Sequence, residues 1–150
     1  MNNAATGAKT RLPRVFLDTN ILLDYLLFRS DEVLAVEYLL NVCRQDTISC
    51  YIAAHSLTNL FYIIRTDFSA AERRQIVLNF AAMCYVQEIS SNTIERAIAG
   101  AYSDDLEDAL QIQCAIDCKA DYVLTRDTEG FNKCPIKVLA PHSLIHELEL

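Results

Sequence analysis

The sequence is poor in glycine and has no long apolar run. Three of its 150 residues are glycine, and none belongs to a GxGxxG or GxxxxGK loop. Such loops bring the backbone close to the phosphates of a nucleotide, so their absence argues against dinucleotide-binding and P-loop proteins. No apolar stretch approaches the roughly 18 to 20 residues that cross a bilayer. The small, polar opening MNNAATGAKTRLP also lacks the apolar segment of a secretory signal. We therefore expect no membrane partner.

Paired cysteines are also absent. The six cysteines lie mostly inside apolar segments, and no two of them form a CxxC pair. Cys114 and Cys118 share a helical face, but no second ligand pair accompanies them, as a zinc site would require. The pattern is typical of small, buried, hydrophobic residues in a reducing cytoplasm. It argues against both a disulfide framework and a zinc site.

Basic residues are outnumbered by acidic ones. The chain has 13 lysines and arginines against 20 aspartates and glutamates, which gives a net charge of −7 at pH 7. Proteins that bind nucleic acids usually present a basic surface to the phosphates. A nucleic-acid-binding function therefore requires that the negative charge is gathered in one place and neutralised there.

Strand and helix patterns alternate along the chain. Hydrophobic residues make up 52% of it, enough for a core in a single domain of this length. We predict a flexible tail over residues 1–13 and one domain over residues 14–150. The predicted strands are apolar without polar alternation, which is typical of parallel strands covered on both faces. The sequence therefore predicts an α/β protein, a three-layer α/β/α fold with a mostly parallel central sheet.

The individual elements are assigned from apolar periodicity and from capping residues. The predicted strands are RVFLD, residues 48–53, YVQEI, YVLT and IKVLA. The predicted helices are residues 20–27, 31–44 and 56–65, the stretch after Ser69, the segment SSNTIERAIAGAYS, residues 105–118 and the stretch from Pro141.

Two aspartates follow predicted strands. Asp18 ends the first strand, and Asp127 follows the late strand YVLT. Ligands of open parallel sheets bind outside the carboxyl ends of the strands, so two acids at this edge indicate a functional site. Aspartate is also common at strand ends for an ordinary reason, because it caps turns and helices. Each aspartate taken singly fits that structural role as well.

A third acid lies on the inward face of a predicted helix. In the segment SDDLEDALQ and beyond, Asp108 has Ile112 at i+4 and Ala115 at i+7, so it lies along the apolar stripe. Glu107 has Gln111 at i+4 and is assigned to the polar side. A carboxylate on an inward face costs free energy unless it is paired or binds a metal. Asp108 is therefore the anomalous acid of this segment.

These three acids would repel one another at one edge of a sheet. Two carboxylates about 4 Å apart repel by about 4 kcal/mol at an effective dielectric constant near 20. Arg126 adjoins Asp127, but one arginine does not easily neutralise three acids. Mg²⁺ and Mn²⁺ take oxygen ligands. We therefore predict that such an ion is bound by Asp18, Asp108 and Asp127.

The helix HSLTNLFYIIR carries an asparagine that points inward. Asn59 has Ile63 at i+4, and two interpretations stay open: a hydrogen-bonded helix asparagine, or a site residue whose amide oxygen holds a metal-bound water. His55 adjoins the predicted acidic edge and is interpreted as a turn or cap residue rather than a general base. His142 and His146 are interpreted as surface or core-edge residues of the final helix.

Together these segments resemble PIN domains. VFLDTNILLDYLLFR is similar to the opening strand and helix of that family, and AAHSLTNLFYIIR to its second acidic segment. DLEDALQIQCAIDCKADYVLTRDTEGF and IKVLAP resemble its closing half. The resemblance covers about residues 15–145. It implies a metal-dependent ribonuclease that uses Mg²⁺ or Mn²⁺, with Asp18, Asp108 and Asp127 as the acids.

The resemblance also implies roles for further residues. PIN domains usually have Glu where this chain has Asn59, and the change removes one negative ligand. Asp24 matches a further acid that orders a metal-bound water or a basic residue, and Glu129 is an additional candidate acid. Bound cations would cancel the acidic charge, so that arginines can hold the RNA backbone. The arginines expected to do so are Arg29, Arg65 and Arg126.

The resemblance extends to partners. Small bacterial proteins of this kind resemble the toxin half of a toxin–antitoxin pair, which implies an antitoxin protein, and we expect a homodimer or higher oligomer. The alternative is a non-catalytic RNA-binding or interaction module, in which Asn59 marks lost chemistry. Phosphoacceptor domains fit less well, since Asn20 stands where the phosphatase pattern has a second Asp. A purely structural domain leaves the inward Asp108 unexplained.

Overall fold

The central sheet has five parallel strands in the computed structural model, which describes residues 11–150. The strand order is β3-β2-β1-β4-β5, so the first strand of the chain lies in the middle. This arrangement confirms the predicted parallel sheet. The strands are β1 (Arg14–Leu17), β2 (Ser49–Ala53), β3 (Tyr85–Gln87), β4 (Tyr122–Leu124) and β5 (Lys137–Leu139).

Seven α-helices surround the sheet within the described residues. One layer contributes α1, α2, α3, α4 and α7 to a core shared with Val15 and Leu17. The other layer contains α6, which packs against Phe16, and α5, which packs against α6. The helices are α1 (Thr19–Leu27), α2 (Val33–Arg44), α3 (Ala54–Ile63), α4 (Ala70–Met83), α5 (Ser91–Gly100), α6 (Leu106–Asp117) and α7 (Pro141–Glu147), and a 3₁₀ turn (Ile64–Thr66) follows α3.

The centre of the sheet is buried on both faces. Val15 and Leu17 on β1 face one core, and Phe16 between them faces the other, each at most 1% exposed. A strand that is covered on both sides has no solvent face on which polar residues could alternate. This burial explains the apolar strand pattern and confirms the three-layer α/β/α prediction.

Helix ends agree with the predicted ends to within a few residues. Ser69 caps α4, and Glu72 completes a reciprocal capping box. The helix predicted over residues 56–65 begins earlier, at Ala54, and its last residues form the 3₁₀ turn. Asp18 and Asp105 are N-caps of α1 and α6. The helices that carry Asp24 and Asp108 therefore both begin at an aspartate cap.

The six cysteines are free thiols, and five of them are buried. Cys134 is partly exposed. The interpretation as small hydrophobic residues is confirmed, because buried thiols occur here within the two apolar cores. Burial also raises the pKa of Cys114 to about 12, so that its thiol stays neutral.

Most of the predicted N-terminal tail, residues 1–10, lies outside the described residues. Arg11 pairs with Asp121 at 2.7 Å, and the Pro13 carbonyl accepts a hydrogen bond from the Ser49 N–H at 2.8 Å. In residues 11–150, none of the helices combines the length and the apolarity that a bilayer crossing needs.

Candidate active site

Asp18 and Asp127 lie at the carboxyl edge of the sheet because their strands are neighbours. Leu17, the last residue of β1, pairs in register with Leu124, the last residue of β4. The Asp18 N–H continues the ladder by donating to the Leu124 carbonyl at 3.0 Å. Asp127 follows three residues after β4. The parallel register therefore brings the two chain segments to one place, as the sequence predicts.

Asp18 is almost completely buried and held by two side chains. Its carboxylate is 1% exposed. Oδ2 accepts a hydrogen bond from Thr125 Oγ1 at 2.7 Å, and Oδ1 accepts one from Gln111 Nε2 at 3.0 Å. Burial raises the pKa of Asp18, and these hydrogen bonds partly oppose that rise. As the N-cap of α1, Asp18 also accepts from the Asn20 N–H through Oδ1 at 3.3 Å, so Oδ2 is the oxygen that keeps a lone pair for another ligand.

A buried polar network fixes the orientation of the groups around Asp18. The Gln111 amide donates to Asp18, while its Oε1 accepts from the Thr19 N–H at 3.0 Å. Thr19 Oγ1 donates to Ser56 Oγ at 2.7 Å. Thr125 Oγ1 accepts from the Asp127 N–H at 3.0 Å, which ties Asp127 to Asp18. The network makes the acidic edge rigid before any ligand binds.

Glu107 is exposed, as its assignment to the polar side of α6 predicts, but Gln111, four residues later, does not share that exposed side. Gln111 is 1% exposed and lies over the end of β1. The helix stripe that faces the sheet is wider than the apolar residues indicate, because Asp18 and the Thr19 N–H supply polar partners there. A sequence signal for this residue exists in the spacing, since Gln111 is three positions from Asp108 and shares its helix face.

Asp108 and Asp127 face the same small space beside Gly130. The Gly130 N–H donates to Asp127 Oδ1 at 3.1 Å. A Cβ atom placed on Gly130 would lie 2.7 Å from Asp108 Oδ2 and 2.9 Å from Asp127 Oδ2. Both distances are shorter than van der Waals contact, so only glycine leaves these carboxylates where they are. Gly130 lies outside the predicted site residues.

The crowding of acids changes the protonation of Asp108. Desolvation is the largest cause that raises its pKa, to about 6, and the charges of Asp105, Asp18, Asp127 and Glu107 add to it. Without a compensating cation, the carboxyl group holds its proton nearly up to neutral pH. Loss of hydration is thus the main cause of the raised pKa, and the neighbouring negative charges reinforce it.

Asp24 is not part of this crowded group, because it is bound by arginine. It is 1% exposed. Its Oδ2 accepts from Arg126 Nε at 2.6 Å and its Oδ1 from Arg126 Nη2 at 3.2 Å. Arg29 lies 3.7 Å from Asp24 Oδ1. Of the two roles that the resemblance implies for Asp24, the geometry matches the ordering of a basic residue.

An open cavity adjoins Asp127 and the arginine that Asp24 holds. It has a volume of about 340 Å³ and is lined by Asn20, Arg126 and Asp127. Arg126 remains half exposed, so its guanidinium reaches this space while Asp24 fixes its direction. The two hydrogen bonds to Asp24 fix the plane of the Arg126 guanidinium, which is then oriented to bind an anionic group of a ligand.

Asn59 points to α6 rather than to the three aspartates. Its Nδ2 donates to Glu107 Oε1 at 2.9 Å. His55 lies in the first turn of α3 but does not cap it, because both of its ring nitrogens are buried without a hydrogen-bond partner among the described residues. Burial lowers the pKa of His55, so the imidazole is neutral at pH 7. Arg65 lies in the 3₁₀ turn that follows α3, with its guanidinium stacked 4.0 Å above the Tyr62 ring.

The remaining candidates lie at the surface. Glu129 is exposed, and so are His142 and His146 on α7, which confirms their interpretation as surface residues. The described hydrogen bonds and ion pairs connect none of these three side chains to Asp18, Asp108 or Asp127.

The donor set fits a hard divalent cation. Among residues 11–150, the ion pairs of the protein involve Asp24, Asp117, Asp121 and Glu147, but not Asp18, Asp108 or Asp127. No three His, Cys, Asp or Glu side chains of the described chain stand close enough to form a ready-made cage. Mg²⁺ suits such an open site, because it keeps several waters and needs only one or two carboxylates.

The fold and this edge define an α/β protein that gathers carboxylates at one end of a parallel sheet. The sequence model of the PIN domain matches residues 14–129, which is most of the chain. The chain therefore belongs to the PIN domain family. A comparison with curated proteins gives no match.

Solved structures with the same fold include several toxin–antitoxin proteins. A toxin–antitoxin complex from Klebsiella pneumoniae is 22% identical, with a TM-score of 0.63 over 85% of this chain and 97% of that one. VapBC2 from Rickettsia felis, bound to a promoter DNA fragment, is 16% identical, with a TM-score of 0.62 over 85% and 98%. VapC20 from Mycobacterium tuberculosis, a toxin that cleaves the sarcin–ricin loop, is 10% identical, with a TM-score of 0.64 over 81% and 95%.

Proposed function

We propose that this protein is a Mg²⁺- or Mn²⁺-dependent ribonuclease that hydrolyses RNA phosphodiester bonds. The observation that carries the proposal is the group of uncompensated carboxylates at the carboxyl edge of β1 and β4. Asp108 and Asp127 flank one small space, and the negative charge of Asp18 contributes to the raised pKa of Asp108. Membership of the PIN domain family adds to this support.

The residues that would hold the ion are Asp108 and Asp127, together with Asp18 behind them. A bound divalent ion polarises a phosphate oxygen and lowers the pKa of a bound water. Neighbouring residues of the chain hold the carboxylates in position for the ion. Thr125 and Gln111 fix the Asp18 carboxylate, and the Gly130 N–H fixes that of Asp127. This preorganisation avoids rearrangement during the reaction.

Arg126 would hold the phosphate of the scissile bond or of its neighbour. Its guanidinium is hydrogen-bonded to Asp24 and lines the cavity next to Asp127. Arg29 is also exposed and lies near the same buried acid, so it offers a second positive charge on this side. Arg65 lies in the 3₁₀ turn after α3 and would contact a more distant part of the RNA backbone. These arginines would supply local positive charge for RNA binding despite the negative net charge of the protein.

We further propose that the protein is the toxin of a toxin–antitoxin pair in the cytoplasm and that it forms a homodimer or higher oligomer. The three solved structures described above are toxin–antitoxin complexes or a toxin. Exposed apolar side chains on this chain offer a surface for a protein partner. They include Phe28, Leu34, Tyr62 and Leu78.

A cleavage assay tests the proposed activity. The purified protein is incubated with a mixed RNA pool in Mn²⁺, in Mg²⁺ and in EDTA, beside the Asp18→Asn variant. We expect cleavage in either metal, none in EDTA, and a loss of about 100-fold or more in the variant. Binding of RNA without cleavage in either metal would favour the non-catalytic module instead.

A further inference from the structure

Three of the six thiols lie together near the amino ends of the strands, at the end of the sheet opposite the acidic edge. Cys43 is in the last turn of α2, Cys50 is the second residue of β2, and Cys84 directly precedes β3. All three belong to the same apolar core. The proposed ribonuclease site uses none of them, so their grouping asks for a separate explanation.

The pairing of β2 with β3 places Cys50 beside Cys84. Tyr51 lies opposite Tyr85 in the parallel register, and their rings stack on one face of the sheet with centroids 5.0 Å apart. Cys50 and Cys84 each precede one of these tyrosines, and the backbone of Cys84 is extended. Because side chains alternate along a strand, the two thiols lie on the other face, on neighbouring chain segments about 4.8 Å apart.

Cys43 is brought to the same place by a tight link between α2 and β2. Asp46 in this link has a left-handed backbone, with a φ of 54°, and its N–H donates to the Cys43 carbonyl at 3.0 Å. The thiol of Cys43 in turn donates to the Met83 carbonyl at 3.7 Å. Since Met83 is the residue before Cys84, Cys43 borders the pair formed by the other two thiols.

A surface cavity leads to this group of thiols. It has a volume of about 380 Å³, and Cys43, Ser49 and Cys84 are among the residues that line it. A water molecule takes up about 30 Å³ in the liquid, and hydrogen peroxide is only slightly larger, so the cavity admits either. Cys50 is 1% exposed and is not part of the lining. A small reagent that enters the cavity therefore meets Cys43 before Cys50.

The surroundings of Cys43 also favour the reactive form of its thiol. Hydrogen bonding from the neighbouring Cys50 thiol lowers the pKa of Cys43 to about 7, although burial acts in the opposite direction. In the other core, burial instead raises the pKa of Cys114 to about 12. The thiolate is the form that attacks oxidants. Cys43 thus combines access through the cavity with a thiolate near neutral pH.

From this arrangement we infer that Cys43 is a site of reversible oxidation by hydrogen peroxide and that Cys50 is the thiol that converts the product to a disulfide. The inference does not rest on the proposed function. It assigns a role to the cavity and to the thiols around it, which lie at the other end of the sheet from Asp18 and Asp127.

The oxidation proceeds in two steps. The Cys43 thiolate attacks one oxygen of hydrogen peroxide, the O–O bond breaks, and the departing hydroxide takes up a proton to become water, which leaves a sulfenic acid on Cys43. The Cys50 thiol then attacks the Cys43 sulfur, and the sulfenic hydroxyl leaves as water with the Cys50 proton. Two thiols and one peroxide thus give one disulfide and two waters. An external thiol reverses the reaction by exchange.

Thiol counting and peptide mapping of the full chain test this inference. The folded protein is treated with hydrogen peroxide, the remaining thiols are alkylated under denaturing conditions, and the linked peptides are identified by mass spectrometry. We expect the alkylated thiols to fall from six to four, because Cys43 and Cys50 enter one disulfide, and to return to six after treatment with dithiothreitol. Six free thiols after peroxide treatment, or linkage of a different pair, would overturn the assignment.

Two alanine variants separate the roles of the thiols. In Cys43→Ala we expect all remaining thiols to survive the peroxide treatment. In Cys50→Ala we expect oxidation of Cys43 to slow, because its thiolate loses a hydrogen bond, and its sulfenic acid to persist long enough for dimedone to trap it. A disulfide that forms in Cys50→Ala as fast as in the parent would show that Cys50 has no part in the reaction.

The matched control is Cys134→Ala. Cys134 is more exposed than Cys43 but lies against the other core, and burial raises the pKa of its thiol. We expect this variant to form the Cys43–Cys50 disulfide like the parent. If peroxide instead oxidises Cys134 and leaves Cys43 reduced, exposure alone decides reactivity and the inference is wrong. The peptide map of the parent gives this answer even if a variant does not fold.

Discussion

Replacing Asp108 by asparagine will remove RNA cleavage and, at the same time, stabilise the metal-free protein. The loss of activity should be about 100- to 1,000-fold, because a charged group at the reacting centre disappears. The gain in stability follows because the neutral amide is no longer a charge that burial desolvates, and because it no longer meets the charges of Asp105, Asp18 and Asp127. Few substitutions stabilise a protein while they inactivate it, and this combination is a signature of functional strain.

The pH dependence of the stability gain follows from the raised pKa of Asp108. The pKa is about 6 in the folded protein against 3.8 for the free side chain. The folded state therefore binds this proton more tightly, and the carboxyl group costs stability once the pH rises from about 4 to above 6. A shift of this size corresponds to about 3 kcal/mol, but Asp108 is only half buried, and solvent screening reduces the gain to about 1 kcal/mol.

Urea unfolding of the parent and the Asp108→Asn variant in EDTA measures this difference. We expect the variant to be more stable at pH 7.5 and equal to the parent near pH 4. The exposed Asp104→Asn variant is the control, and it should match the parent at both pH values. A variant that is equally active, or less stable at pH 7.5, contradicts the crowding of Asp108.

The Arg126→Ala substitution will destabilise the protein by about 3 kcal/mol and reduce RNA cleavage by about 100-fold. Asp24 is 1% exposed, and without Arg126 its nearest cation is Arg29 at 3.7 Å. Removing one partner of a buried ion pair leaves an uncompensated charge, which typically costs about 3 to 5 kcal/mol. We take the lower end because Arg126 itself is half exposed. Activity falls because the phosphate loses its oriented guanidinium.

A double variant separates these two effects. In D24L/R126A the buried charge is gone, so we expect most of the lost stability to return while cleavage stays low. Urea unfolding and the RNA assay measure the two quantities. Arg74→Ala, an exposed arginine on α4, is the matched control and should change neither. Recovery of cleavage in the double variant would show that Arg126 acts only through stability.

The sheet was predictable because its central strand is continuously apolar. Val15, Phe16 and Leu17 are apolar in succession, which only a strand covered on both faces tolerates. The position of Asp18 and Asp127 at one edge followed from the parallel order alone. The anomaly of Asp108 followed from helical spacing, and its pKa is raised first by burial and then by the neighbouring negative charges.

The polar partners of the acids were not predictable in the same way. Thr125 and Gln111 reach Asp18 from segments about one hundred residues away, and hydrogen bonds between such distant side chains leave no local pattern. The same holds for the contact of Asn59 with Glu107, which only the packing of α3 near α6 creates. Helical periodicity assigns a residue to a face of its helix. Which hydrogen bonds that residue makes depends on the segment packed against that face, and the sequence pattern does not identify this segment.

A crystal soaked in Mn²⁺ gives the sharpest test of the proposed metal site, because Mn²⁺ is located by its anomalous scattering. We expect an anomalous peak between the carboxylates of Asp108 and Asp127, next to Asp18, in protein that cleaves RNA. Cleavage-competent crystals with no peak at this edge, or with the peak elsewhere on the molecule, would contradict it.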